Sequence, residues 1–256
     1  MPSIKELRQI CQKSEQAPSW RTQSIEGKFN RIFSIYLTWI FIHLRVPVIA
    51  VNIAGALLYL GGVGLFIFND LKLQVLGLFL MFWSFILDAC DGELARYQRL
   101  SKEKMAVGGD YIEPISHDIM YALSFFPIGL GLTISTGNLL PIAAAFVATV
   151  GKLLFRLAEL RFDSLMRILA GQKGANAVMA PNPNKETPAT ITYFIYRNFF
   201  TSTGIFFPLI ITTILRRVDW FLYFYVVSLV LFWIYKMLRQ WKKIKKMSIP
   251  TENPLN

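Results

Sequence analysis

What most limits the possible folds of this chain is a succession of apolar windows, each about 20 residues long and nearly free of charge. As an α-helix, such a window crosses the ~30 Å hydrocarbon layer of a bilayer. Inside that layer no water bonds to the backbone, so a spanning segment must satisfy its own N–H and C=O groups, as a helix does. With 54% hydrophobic residues in 256, the expected class is an all-α polytopic membrane protein.

Residues 1–28 are polar and of mixed charge, with no apolar run behind a basic start, so they read as a cytoplasmic lead-in rather than a cleaved signal peptide. In 29–45, aromatic and aliphatic residues alternate with Asn30, Arg31, Ser34, Thr38 and His43, a pattern that suits an amphipathic helix in the membrane interface. The competing reading is the first half of one long tilted helix. Six transmembrane helices fit into 46–240, at 46–68, 73–87 with helix continuing beyond, 108–134, 139–160, 188–215 and 218–237; a basic tail, 241–256, follows.

Basic residues gather between these spans: Arg31 and Arg45, then Arg96, Arg99, Lys102 and Lys104, then the 156–173 region, then the tail. In the six-span drawing all of these face one side, which the excess of Lys and Arg in cytoplasmic loops makes the cytoplasmic one, together with both termini. Arg216 and Arg217 fall on the other side and count against the drawing. The net charge of +11 therefore reads as topology; no basic face interleaved with exposed aromatics points to nucleic acid. Cys11 and Cys90 lack CxxC spacing, which argues against a disulfide framework or a zinc site.

The second span runs into LDACDGELARYQRL, residues 87–100. Charges at the edge of a span are costly unless they are paired, hydrated or coordinating something. Asp88 and Asp91, three apart on a helix, project from one face. Gly92 and Ala95 take little space beside them, so a ligand can approach the backbone. Carboxylates with no basic partner on their own helix suit a hard cation, Mg²⁺ or Mn²⁺, which would neutralise substrate phosphates while Arg96 held a phosphate oxygen. Beyond the basic loop, GGDYIEPISHD sets Gly109, Glu113 and His117 at i, i+4 and i+8, one stripe of the next helix. On an antiparallel neighbour that stripe faces the Asp pair, where Glu113 would complete a metal site and His117 would serve as general base. Alternatively, His117 bonds a backbone carbonyl and Glu113 pairs with a loop lysine.

Asp88-x-x-Asp91-Gly92-x-x-Ala95-Arg96 resembles the first half of the signature of the CDP-alcohol phosphotransferase family, D-x2-D-G-x2-A-R followed by G-x3-D-x3-D, with every fixed residue of that half in place. A six-span topology with the motif at the cytoplasmic end of the second helix is similar as well. The second half departs from the pattern. The family's usual spacer would put Met105, Gly109 and Glu113 at the Gly, Asp and Asp positions. A loop four residues longer gives Gly109, Glu113 and His117, the preferred register, with Asp110 and Asp118 as alternatives for the last position.

The resemblance implies a homodimer whose Asp88, Asp91, Glu113 and His117 hold divalent metal against the diphosphate of a CDP-linked donor. It implies a nucleotide and phosphate site shaped by Asp88, Gly92, Ala95, Arg96 and Gly109. Catalysis would fall to His117 with Glu113: the hydroxyl of an alcohol acceptor is deprotonated, attacks the β-phosphorus and expels CMP, at least one of the two substrates being a lipid. Asn52 lies where the family often carries Pro-Asn, but Val51 precedes it. Lys152, Arg156 and Arg161, near the cytoplasmic end of the fourth span, suit the phosphate of an acceptor or lipid headgroup, or plain positive-inside anchoring. A divalent-cation transporter and an intramembrane metal-dependent phosphohydrolase are the other classes that would keep acids at a span boundary.

Overall fold

The structure, a computed structural model, describes residues 2–13, 25–100, 107–172, 194–195, 198–201 and 203–246, with side chains for all of these except 107–111, 169–172 and 246. Lys102, Lys104, Met105, the side chain of Asp110 and, within 188–215, residues 188–193, 196–197 and 202 lie outside the described residues. Every regular element among the described residues is helical. In chain order they are α1 (Ile4–Leu7) continued by a π-helical turn (Arg8–Gln12), α2 (Ile25–His43), α3 (Val48–Gly64) tightening into a 3₁₀ turn (Leu65–Phe68), α4 (Leu71–Leu100), α5 (Val107–Leu123), α6 (Phe125–Thr136), α7 (Leu140–Gln172), α8 (Phe206–Ile214) and α9 (Val218–Lys246).

Among the described residues, five stretches are long and apolar enough to cross a membrane: Val48–Phe68, Leu71–Leu100, Ile112–Thr136, Leu140–Ile168 and Val218–Lys245. The difference from the six-span drawing falls in 188–215. Part of that segment lies outside the described residues; its longest described helix is α8, nine residues, a rise of about 13 Å.

The turns have identifiable chemical causes. Asn69 closes α3 in the left-handed region at φ 48°, and the Asp70 carboxylate accepts from the backbone N–H groups of Lys72 and Leu73 to cap α4. Gly137, at φ 68°, ends α6, and Asn138 Oδ1 accepts from the N–H of Leu140 to start α7. The expected single helix over 108–134 is broken at Ser124 between α5 and α6. Pro127 explains the break: it lacks an N–H, and its ring crowds the carbonyl four residues back, at Leu123. The Ser124 hydroxyl bonds to the Met120 carbonyl and meets Tyr59 Oη at 2.7 Å, tying the break to α3.

α3 and α4 form the most extensive helix pairing, and at one point their backbones touch. A Cβ on Gly62 would stand 2.6 Å from the Gly77 carbonyl oxygen, and a Cβ on Gly77 would collide with the Gly62 carbonyl. Small residues at such crossings are what bring membrane helices together. Gly77→Leu should therefore force α3 from α4 and lower the unfolding temperature in detergent by roughly 5–10 °C. Gly61→Leu, where a Cβ meets nothing within 4 Å, should leave it unchanged. Equal melting of the two variants would refute the crossing.

α2 is inside out relative to a helix of a water-soluble protein. Its polar residues Glu26, Asn30, Ser34 and Thr38, spaced by four, are all buried, while Phe29, Ile32, Phe33, Tyr36 and Ile40 are exposed. Residues 3–13 dock as a hook onto this helix, where Leu7 and Cys11 bury against Ile35. A Ser3–Glu6 capping box starts the hook.

Candidate functional site

α4 carries Asp88 and Asp91 toward α3 and α5. Asp91 is 2% exposed, and its Oδ2 accepts a hydrogen bond from Asn52 Nδ2 of α3 at 3.0 Å. Asp91 Oδ1 and Asn52 Oδ1 are buried with no hydrogen-bond partner among the described residues. From α5, His117 Nε2 approaches Asp88 Oδ1 to 2.7 Å. Asn52, Asp88, Asp91, Ser116 and His117 line one enclosed cavity of about 10 Å³. On the other side of Asp91 lies a second of about 10 Å³, lined by Val48, Ile49, Asn52, Asp91, Ile112 and Glu113. Each has the size of one water molecule or one small ion. Asp91 and Asn52 thus separate a chamber reaching His117 from one reaching the exposed Glu113.

Orphaned carboxylate oxygen beside space for one ion is a donor arrangement that fits a hard divalent cation. Among the described residues, no group of three or more His, Cys, Asp or Glu side chains already stands as a metal-binding set. Two carboxylates with an amide oxygen are an incomplete cage. Mg²⁺ accepts such a cage, since it is commonly held by one or two carboxylates plus substrate phosphates.

The candidates for the last motif position part ways. His117 faces Asp88, whereas Asp118 Oδ2 accepts from Arg156 Nε of α7 at 2.8 Å. The sequence grouped Lys152, Arg156 and Arg161 as one phosphate site, and the structure separates them. Lys152 is buried, its ammonium 4.0 Å over the Tyr121 ring. Arg156 bridges Asp118 and Glu159, and Glu159 also pairs with Lys236 of α9. Arg161 lies further along α7, on a groove against α9. Arg96 is turned toward the hook: its Nε donates to the Cys11 carbonyl at 2.8 Å. Its guanidinium lies over Gly92, whose missing Cβ would meet Nη1 at 3.5 Å. Ala95 beside it is half-buried. In this arrangement Arg96 covers the small-residue face that the sequence reserved for ligand, and it would have to swing to expose that face.

The residue that sequence reasoning passed over is Glu93. It lies within the motif on the opposite side of α4 and is fully buried. Gln12 Nε2 and Ser34 Oγ each donate to its Oε1 at 2.7 Å, and Thr38 Oγ1 donates to Oε2 at 2.8 Å. The polar stripe of α2 was the available signal, because polar side chains every fourth residue on an apolar helix need a buried partner. Cys11 and Cys90 flank Glu93 as buried free thiols, and burial pushes the Cys11 thiol up to about 11.

The same stripe ends at Glu26, 3% exposed, which accepts from Asn30 Nδ2 at 3.0 Å. Burial pushes its carboxyl up from 4.5 to about 8, opposed by the Asn30 amide and aided by the charge of Asp88. An acid raised on folding contributes its stability below its unfolded pKa, here about 4.5, and loses it as pH rises through about 8. Glu26→Gln, neutral at every pH, should melt progressively higher than the parent as pH is taken from 5 to 8.5 in detergent. Parallel melting curves across that window would show that Glu26 titrates normally.

In comparisons with known proteins, no protein-family model, no curated protein and no solved structure matches the chain. The fold and the site define the class this far: an all-helical, multi-pass membrane protein with a carboxylate–histidine–amide site where three helices meet.

Proposed function

We propose that this chain is an integral-membrane CDP-alcohol phosphotransferase. It would move a phosphoalcohol or phosphatidyl group from a CDP-linked donor to an alcohol acceptor, with release of CMP, in the synthesis of a phospholipid or related phosphodiester. One observation carries the reading: Asp88 and Asp91, the carboxylates of the motif half that resembles the family, meet Asn52 and His117 around space for a single ion, with an Asp91 oxygen left without a partner.

Asp91 and Asp88, with Glu113 approaching across the second chamber, would hold Mg²⁺ or Mn²⁺. An ion held there would supply neutralisation of the diphosphate charge and polarisation of the phosphorus under attack. His117 accepts the proton of the acceptor hydroxyl, and Asp88, bonded to its Nε2, stabilises the imidazolium that results, the division of labour of a base and its orienting carboxylate. The acceptor oxygen bonds to the β-phosphorus, the bridging P–O bond breaks, and CMP leaves with the bridging oxygen. Swung off Gly92, the Arg96 guanidinium binds a phosphate of the nucleotide. The apolar outer face of α2 supports its place in the interface; the basic loops would put the site and both termini on the cytoplasmic side, and a homodimer is the assembly the resemblance implies.

The test is the purified protein with Mg²⁺, a panel of CDP-linked donors and alcohol acceptors. CMP formed only when an acceptor is added supports the transferase. CMP formed without acceptor indicates the hydrolase. No CMP from any donor, with Mg²⁺ crossing proteoliposomes, indicates the transporter.

A further inference from the structure

α7 has 33 residues and α9 has 29. At 1.5 Å per residue these are rods of about 50 and 43 Å, longer than the ~30 Å hydrocarbon layer. Both helices begin at the turns on the same side, near Asn138 and Arg217, and pack along one another. Their last turns therefore emerge together on the opposite side, where the Lys-rich end of α9 stands. Between those turns lies an open groove of about 440 Å³, the size of an ordinary ligand site.

Its walls are apolar: Phe162 and Leu165 from α7, Leu238, Trp241 and Ile244 from α9. Its edge is cationic. Arg161 lines it and forms no ion pair among the described residues. Lys242, Lys243 and Lys245 are exposed along α9. Lys243 Nζ is 5.4 Å over the Phe162 ring, and Lys245 Nζ is 5.4 Å over the Trp241 ring, so both ammonium groups are drawn to the groove's aromatic walls. Deeper between the helices, Lys236 pairs with Glu159.

An apolar slot beneath a row of exposed cations, at the depth where helices leave the hydrocarbon, is complementary to an amphiphile with acyl carbon below and negative charge above. We propose that this groove is a specific site for one anionic phospholipid of the surrounding leaflet, its acyl chain against Phe162, Leu165 and Trp241 and its phosphate at Arg161 and Lys243. Polybasic segments beside a span attract anionic headgroups in any case. The groove adds a fixed place for one such lipid. It lies apart from the Asp88–Asp91 site and does not depend on the transferase reading.

Trp241 in the wall provides the probe. The protein is placed in nanodiscs of phosphatidylcholine, and a small fraction of the lipid is replaced by acyl-brominated phosphatidylglycerol or by acyl-brominated phosphatidylcholine. The chain has six tryptophans, so the Trp241 signal is the difference between the parent and Trp241→Phe. Brominated phosphatidylglycerol should quench that signal at about fivefold lower mole fraction than brominated phosphatidylcholine. Arg161→Gln with Lys243→Gln should erase the preference, and Arg161→Lys should keep it. Equal quenching by the two lipids would mean ordinary solvating lipid and overturn the proposal. So would absence of Trp241 quenching by either lipid, as when a second copy of the chain covers the groove. Trp241 is exposed, so its replacement by Phe, the one variant that the lipid comparison needs, leaves the helix packing in place.

Discussion

Glu93→Ala should be the most damaging single substitution for the fold at the site end of the molecule. The carboxylate accepts three hydrogen bonds from three separate parts of the chain: Gln12 of the hook, and Ser34 and Thr38 on successive turns of α2. Removing it takes the acceptor from the buried Ser34 and Thr38 hydroxyls and from Gln12, which keeps its bond to the Arg31 carbonyl, and it releases the surface on which the hook rests. An unsatisfied buried donor costs about 1–3 kcal/mol, so a loss of about 3–5 kcal/mol is expected after partial relaxation. Thermal unfolding in detergent would read this as a fall of roughly 10 °C or more. Glu93→Gln should fall in between: its carbonyl oxygen can still serve Gln12 and Ser34, while its NH₂ meets the Thr38 hydroxyl, which can turn to accept. Arg96 should also lose definition, because its Nε leans on the Cys11 carbonyl of the same hook. A Glu93→Ala protein that melts with the parent would mean that water or a neighbour already replaces these bonds.

How far the sequence anticipates this arrangement depends on the kind of signal. The spans are legible because length and hydrophobicity act residue by residue; the starts of α3, α4, α7 and α9 lie within about two residues of the apolar windows. The α5–α6 break is a local rule not applied, since Pro127 stands in plain view behind Ser124. The sidedness of α2 is legible in its period but not in its sense. A polar stripe normally faces water, and only knowledge of Glu93 turns it inward. Glu93 in turn looks like one more charge in a charged motif until its partners, 55–81 positions away in sequence, are assembled. The cationic trio on α7 shows the converse failure. Lys152, Arg156 and Arg161 share a helix and a charge, yet an aromatic ring, two acids and an open groove take one each. Shared sequence neighbourhood does not decide which neighbouring helix each side chain meets.

Asp91→Asn should leave the protein at least as stable and, on the proposed transferase reading, remove its turnover. The substitution is nearly isosteric, and the new amide oxygen can still accept from Asn52 Nδ2, so the α3–α4 contact survives. What disappears is a negative charge that is almost wholly buried and has one oxygen without a partner. Burying charge without full compensation costs stability, so the neutral variant should melt at or above the parent's temperature. On the transferase reading such a cost is tolerable because the charge would hold a cation there, and without it the donor diphosphate would have to be neutralised by Asp88 and Glu113 alone. CMP release should fall by about 10³-fold, chiefly in kcat, the scale seen when one preorganised electrostatic contact to a transition state is lost. His117→Gln separates this role from proton transfer. Its amide can still donate to Asp88, so Mg²⁺ dependence should persist, while kcat falls by about 10²–10⁴-fold and the rise of rate with pH disappears. A stable but inactive Asp91→Asn, beside a His117→Gln that keeps its metal response and loses its pH response, would assign the two halves of the chemistry to the two chambers that meet at Asp91. An Asp91→Asn protein with full activity would instead make the buried carboxylate a purely architectural partner of Asn52.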